Sequence, residues 1–321
     1  MKKRGFPMLT LTETNQAISR SDLVNFIHPW QEALDLRVQA QELKHDTAVT
    51  YRRGVVKFLQ WLAGKRPSAD VIRAWKADLL NHHVKPSSVN IWIAGLRSFF
   101  GWLFEQGEIP FDPTQAIKGA SRKGTARRHV RESLTDREVI RLLEQPNREN
   151  REGVRDYAML CLMLYTAARG IELHRADIED LKTMNGALVL QVQGKGHNEK
   201  DDFLVLSHEA ESALRDWLVY RGKESGPLFT SCSNYTKGER LSRRAMRGIV
   251  KRYFDAAGLQ GNKTTHSLRH TAITSAIRHH APIQKVKGMS RHASLDTLMI
   301  YYHEVDRLSD PAEKYINYSS E

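Results

Sequence analysis

From about Thr47 to Phe104 apolar residues recur every three or four positions: Tyr51, Val55, Phe58, Leu59 and Leu62 in one run, then Val89, Ile93, Leu96, Phe99, Phe100 and Leu103 in another. That is the helical period, so the stretch buries its apolar face only by packing helix on helix. Between the runs, Ser68-Ala69-Asp70 opens a shorter helix with Val71, Ile72 and Trp75, and Pro86-Ser87-Ser88 offers a serine to cap the second long one. The spacing predicts an all-helical front domain.

This pattern stops at a charged break. Residues 114–131 hold Lys118, Arg122, Lys123, Arg127, Arg128 and Arg131, with Gly119 and Gly124 and no acidic residue. Such a segment reads either as an interdomain linker that touches phosphates or as a solvated basic loop. The surplus is general: 49 Lys+Arg against 37 Asp+Glu gives a net charge of +12 over 321 residues, which points to a polyanionic partner such as nucleic acid. Other helical residues, Lys85, Arg97, Arg243, Arg244, Arg247, Lys251 and Arg252, are positioned in sequence to enter or flank DNA grooves.

Beyond the break a second domain opens at Ser133, where S-L-T-D-R-E supplies caps and first-turn acids to a helix carrying Val139, Ile140, Leu142 and Leu143. A helix through Met159, Leu162, Met163 and Tyr165 follows. The period then changes: Leu188, Leu190 and Val192 alternate with Ala187, Val189 and Gln191, a nine-residue GKGHNEKDD segment intervenes, and FLVL returns, which predicts a β-hairpin with a lysine at its tip. Helices are expected again over Ala210–Val219, Ala245–Phe254, Leu268–Ile277 and Leu295–Tyr302. The expected fold is therefore mainly α with a small β-hairpin or sheet in the C-terminal domain, an α+β arrangement.

Several classes are excluded. Cys161 and Cys232 make neither a disulfide framework nor a zinc site. Thr and Glu break the start too early for a signal peptide, and the apolar run at Tyr157–Tyr165 is less than half a membrane span. A soluble, cytoplasmic and reduced protein is expected, with no membrane association.

Five local features bear chemistry, each unspecific alone. Arg169 follows an apolar helix in T-A-A-R-G-I-E-L, with Glu172 at i+3, a spacing that also describes an ordinary surface pair. Lys195 lies in Q-G-K-G at the hairpin tip, with Lys200 a competitor in the same loop. His266 and Arg269 stand at i, i+3 where a helix starts, a place suited to a phosphate. His292 precedes a helix that Ser294 can cap, and Tyr301 and Tyr302 lie about two turns further on, facing different ways.

In this order, Arg169, Lys195, His266-Ser267-Leu268-Arg269, His292 and Tyr301, the chain resembles the tyrosine recombinase (phage integrase) family, over nearly its whole length. The family's T-G-x-R-x-x-E is matched by Thr166, Arg169 and Glu172, with Ala167 in place of glycine. Its H-x-L-R-H block is matched by His266, Leu268, Arg269 and His270. Its L-G-H-x-S becomes Ser290-Arg291-His292, and its nucleophile, nine residues later, selects Tyr301. In the front domain, Thr47, Tyr51, Phe58, Trp61, Ser88-Val89-Asn90, Leu96 to Trp102, Gly107 and Pro113 are similar to the family's helical core-binding domain.

The resemblance implies a core-binding domain over residues 20–113, a basic linker over 114–131, a catalytic domain over 132–303 and a C-terminal tail over 304–321 that either docks on a neighbouring protomer or packs on its own domain. It implies cutting and rejoining of duplex DNA through a 3′-phosphotyrosyl link, in integration, excision or resolution. Arg169 and Arg269 would clamp the phosphate, Lys195 would protonate the leaving oxygen, His266 would be the general base, His292 would donate to the phosphate and Tyr301 would attack. Glu172 would position Arg169. No metal or other cofactor is expected. The partners would be double-stranded DNA sites and further copies of the chain, as a tetramer in the synapse. A type IB topoisomerase and an inactive DNA-binding protein of the same fold are the competing readings. Because only about forty residues precede the helical runs, a simple two-domain recombinase without an arm-site domain is expected.

Overall fold

The computed structural model describes residues 20–121, 132–194, 199–261, 263–292, 294–296, 298–301 and 314. They divide into two compact units, with the division between Thr125 and Ala126.

Among the described residues the first unit contains five helices: α1 (Arg20–Asn25), α2 (Ile27–Gln39), α3 (His45–Leu62), α4 (Ala69–Asn81) and α5 (Pro86–Glu105). The first two lie ahead of the runs that the spacing marked. Trp30 and Leu34 of α2 are buried, one turn apart, against a core of Phe58, Trp75, Phe99 and Phe100. Trp30 meets Phe99 edge-on with ring centroids 5.2 Å apart, as does Phe58 with Trp75, a geometry that suits the aromatic quadrupole. Helices α3 and α5 pack closely because two glycines face the partner backbone: a Cβ on Gly95 would lie 2.8 Å from the Tyr51 carbonyl oxygen, and one on Gly54 would lie 2.8 Å from Trp92 Cα.

Ser68 caps α4 as expected, accepting from the Val71 amide. The serine cap expected for α5 is absent: Pro86 occupies its first turn, where no amide proton is needed, and Lys85 is the capping residue without a side-chain bond.

Residues 114–121 of the expected linker are strapped to this helical unit. Ile117 and Ala120 are buried in its core. Asn90 receives the Ala120 amide on Oδ1 and donates to its carbonyl at 3.1 Å, Lys76 donates to the Lys118 carbonyl at 2.8 Å, and Arg97 donates to the Ile117 carbonyl. Arg97, expected at DNA, thus commits a guanidinium nitrogen to holding the strap, which periodicity cannot reveal because the bond spans twenty residues. Lys118 and Lys85 are exposed. Arg122, Lys123, Arg127, Arg128 and Arg131 lie outside the described residues.

The second unit begins with α6 (Asp136–Leu143), α7 (Arg151–Thr166) and α8 (Gly170–Arg175). Thr135 and Glu138 close a reciprocal cap on α6. Helix α7 is buried nearly all round, Ala158 to Leu164 lying in the central core. An antiparallel sheet follows in the order β1 (Leu181–Met184), β2 (Ala187–Val192), β3 (Asp202–Val205). The expected hairpin is β2–β3, paired Val189 to Val205 and Leu190 to Leu204. The additional strand β1 joins β2 through Asn185-Gly186, both at positive φ (49° and 78°), the pair of conformations a two-residue hairpin turn requires.

Helices α9 (His208–Arg221), α10 (Arg243–Ala256), α11 (Thr265–Arg278) and α12 (Ile283–Ser290) complete the unit. The first three extend the expected segments; α12 carried no periodic signal because only Val286 and Ser290 of its eight residues are buried. Arg243, Arg244 and Arg247 are exposed on α10. Among the described residues no helix is long and apolar enough to cross a membrane.

Candidate active site

The site is assembled where the C-terminal end of α7, the start of α11 and the residues after α12 converge. Helix α7 stops at Ala167, which turns left-handed (φ 53°, ψ 31°) and sends the chain back as Arg169, the capping residue of α8. Glu172, one turn into α8, accepts the Arg169 amide on Oε2 at 2.7 Å and the Arg169 side chain on Oε1 at 2.7 Å. The i, i+3 pair is therefore no surface ornament: the Glu172 side chain is 1% exposed and Arg169 16%. Burial makes this carboxylate valuable as a fixed strut, since the paired charge has no water to fall back on.

Arg269 projects from α11, which Thr264 caps. Although cationic, it is 2% exposed. Its Nη1 donates to the Ala167 carbonyl at 2.5 Å, its Nη2 donates to the Ser290 carbonyl, and Nη2 also lies 3.3 Å from His292 Nε2. One guanidinium thus ties three segments at one point. Burial, and then the neighbouring Arg169 and Arg291 guanidiniums, push Arg269 down to about 9. Such crowding of like charge makes the site suited to an anion.

Tyr301 closes the site from helical residues 298–301. Its ring is 3% exposed within a small apolar cluster of Ala167, Ala272, Ile273, Ile277, Val286 and Leu298. Its hydroxyl is hydrogen-bonded to His270 Nδ1, the ring centroids 5.2 Å apart, and the His292 ring stacks on it at 6.3 Å. His292 is itself held by Ser290 Oγ at 3.1 Å from Nδ1. His266 lies exposed at the start of α11, its ring edge-on to His270 at 5.1 Å. Of the two histidines on this helix, it is His270 whose nitrogen meets the Tyr301 hydroxyl.

Arg169, Arg269, His292 and Tyr301 are accordingly brought together, with His266 at the margin. Lys195 lies outside the described residues. Its competitor Lys200 donates to Asp177 Oδ2 at 3.0 Å and to Asp180, and Arg240 donates to Asp177 Oδ1. Lys200 is thereby engaged in fastening the foot of the hairpin.

Sequence reasoning passed over two residues. His270 was visible one position after Arg269, but the direction of its ring depends on where residues 298–301 pack. Arg291 replaces a glycine of the family pattern and looked remote from the chemistry. In the structure its side chain is 4% exposed and Nη2 lies 2.7 Å from Glu172 Oε2.

The comparisons with known proteins agree with this geometry. Residues 132–307 match the phage integrase family, and residues 30–107 match the phage integrase N-terminal SAM-like domain. A tyrosine recombinase of Synechococcus elongatus is 32% identical over 252 residues, 75% of each chain. The XerH site-specific recombinase bound to palindromic difH substrate shares the fold at a TM-score of 0.66, with 21% identity over 94% of this chain and 85% of its own. So does a lambda integrase tetramer bound to a Holliday junction, at 0.65 and 15% over 89% and 78%. With both domains matched in order and the arginines, histidines and tyrosine gathered at one pocket, the chain belongs to the phage integrase family and is a tyrosine recombinase.

Proposed function

We propose that this recombinase cuts and rejoins specific duplex DNA sites through a 3′-phosphotyrosyl intermediate formed on Tyr301. The observation that carries the reading is the Tyr301 hydroxyl held by His270 in the same pocket as His292 and the two arginines. A tyrosine of ordinary pKa near 10 is ionised to about one part in a thousand at pH 7, a cost of about 4 kcal/mol. A base within hydrogen-bond reach lowers that cost during attack.

As the phenolic oxygen bonds to phosphorus, charge accumulates on the non-bridging oxygens. Arg169 and Arg269 answer it with forked donors that are charged at neutral pH, and His292 adds a third. Lys195 delivers the proton to the departing 5′-oxygen, and His270 takes the phenolic proton, with His266, the base expected from the resemblance, edge-on to it at the rim. Glu172 fixes Arg169. The phosphotyrosyl ester conserves the phosphodiester bond, so a 5′-hydroxyl from a second strand attacks it and releases the tyrosine.

The helical unit over 20–113 and the catalytic unit over 132–303 each contact DNA, with Lys85, Lys118, Arg122, Lys123, Arg127, Arg128, Arg243, Arg244 and Arg247 meeting phosphates. Such contacts set register and make binding salt-dependent. Arg97, bonded to the strap through one guanidinium nitrogen, also belongs to this set. Four copies act within one synapse, linked through residues 304–321. The lambda integrase tetramer of the same fold supports this assembly.

The test is covalent capture. A pool of nicked duplexes with randomised flanks is incubated with the protein, denatured and recovered with it. Enrichment of one sequence, lost in Tyr301→Phe, is expected. No adduct from the wild-type chain, or an undiminished adduct from Tyr301→Phe, overturns the reading. Exchange of flanks between two captured sites, as against relaxation of a plasmid lacking the site, separates recombinase from topoisomerase.

A further inference from the structure

Two residues that depart from the family pattern, Ala167 and Arg291, both adopt the left-handed conformation, with φ 53° at each. Glycine enters that region freely, whereas other residues carry a cost of about 1–2 kcal/mol. A long side chain kept there, at the edge of an active site, signals compensation by the surrounding structure.

For Arg291 the compensation is visible. Its Nη2 lies 2.7 Å from Glu172 Oε2 and 3.3 Å from the Ala167 carbonyl, its Nη1 lies 2.6 Å from the Met289 carbonyl, and its Nε lies 3.9 Å from Asp202 Oδ2. Its own carbonyl accepts from Arg169 Nη2 at 3.2 Å. Glu172 is thus shared by two arginines: the Arg169 side chain lies on Oε1, and Oε2 takes both the Arg169 amide and the Arg291 guanidinium. The Ala167 carbonyl is shared as well, by Arg269 and Arg291. Residue 291 therefore touches both supports of the proposed phosphate clamp.

We propose that Arg291 is a positioning residue for strand cleavage: its guanidinium and its carbonyl together hold Glu172, Arg169 and the Ala167 carbonyl in the arrangement that receives the DNA phosphate. This rests on the recombinase reading. Lysine cannot replace it, because a point charge lacks the planar fork that reaches a carboxylate and a carbonyl together. Glycine would fit the backbone and leave Glu172 Oε2 with the Arg169 amide but no side-chain donor.

The test compares wild type, Arg291→Gly and Arg291→Lys in single-turnover adduct formation on the nicked duplex recovered by covalent capture, alongside DNA affinity. Misplacing a clamp by about an ångström costs on the order of 100-fold in rate, so Arg291→Gly is expected to slow adduct formation by about 10- to 100-fold while affinity changes by less than about 3-fold. Millimolar guanidinium ion is expected to restore part of the loss in Arg291→Gly, and ammonium ion is not. Wild-type rates in Arg291→Gly, or full activity in Arg291→Lys, overturn the proposal while leaving the recombinase reading intact, since that stands on the wild-type adduct. If Arg291→Gly fails to fold, or the wild type forms no adduct, the melting of Arg291→Gln, Glu172→Gln and the double variant decides. Subadditive shifts in melting temperature support the shared strut, and additive shifts overturn it.

Discussion

The hydroxyl of Tyr301 and Nδ1 of His270 share a hydrogen bond across 31 positions of sequence. The bond holds the ring of Tyr301, the proposed nucleophile, in an apolar cluster where it is 3% exposed. Substituting His270 with alanine removes the partner and leaves the tyrosine packed. Adduct formation on a nicked site is expected to fall by about 100-fold, with DNA affinity held, because positioned proton transfer contributes about that much. An unchanged single-turnover rate in His270→Ala would assign the proton to another group.

Arg269 is a tie as well as the proposed clamp. Replacing it with glutamine strands the Ser290 carbonyl in the interior, at a cost of about 1–3 kcal/mol for an unmet buried group, and leaves the Ala167 carbonyl with the Arg291 donor at 3.3 Å. Loss of one transition-state donor slows cleavage by about 100- to 1000-fold. Urea denaturation and adduct formation are expected to report both losses together; loss of activity at unchanged stability contradicts the tying role.

The pull on Arg269 down to about 9, by burial and then by Arg169 and Arg291, has a sign that is open to test. A base whose folded pKa lies below its unfolded one leaves more protons on the unfolded chain, so the group costs stability at neutral pH and less as pH rises through about 9. An anion in the pocket relieves the same repulsion. Sulfate is expected to raise the melting temperature at pH 7 more than sodium chloride of equal ionic strength, a ligand at 100 times its Kd contributing about 2.7 kcal/mol. The excess is expected to vanish in Arg269→Gln. An equal rise in both proteins marks a general salt effect.

At the foot of the hairpin, burial raises the Asp177 carboxyl, but hydrogen bonds from Arg240 and Lys200 outweigh it and hold the group below its usual range. A carboxylate so held stabilises the fold above its unfolded pKa near 4, and the contribution is lost as pH falls through the folded value. Asp177→Asn is expected to lower stability at pH 7 by about 1 kcal/mol, the groups being part-exposed, and to flatten the decline below about pH 4. Parallel acid curves for the two proteins, followed by urea unfolding, contradict the assignment.

In the helical unit, Gly95→Ala puts a Cβ 2.8 Å from the Tyr51 carbonyl oxygen. Helices α3 and α5 must separate, and overpacking of this kind costs about 1–3 kcal/mol. A lower midpoint of chemical unfolding at unchanged slope is expected. No loss means that the crossing yields without strain.

The sequence by itself determined the elements with an amphipathic period. Tyr51 to Leu62 and Val89 to Leu103 became α3 and α5, and Leu188, Leu190 and Val192 became β2, because local spacing decides which face is apolar. It also supplied the ordered arginines, histidines and tyrosine that mark the family. A readable sign of β1 was passed over, the Asn185-Gly186 turn. Helix α12 and the strap at 114–121 had none, since their burial comes from long-range partners.

Tertiary structure alone decided the connections within the site. Which histidine meets Tyr301, and that Arg291 and Arg169 share Glu172, depends on the meeting of α8, α11 and residues 290–301, which are remote in the chain. A hydrogen bond has direction and a reach of about 3 Å. Spacing along one helix can place a residue on a face, but only the packing of that helix against others determines what its polar atoms meet.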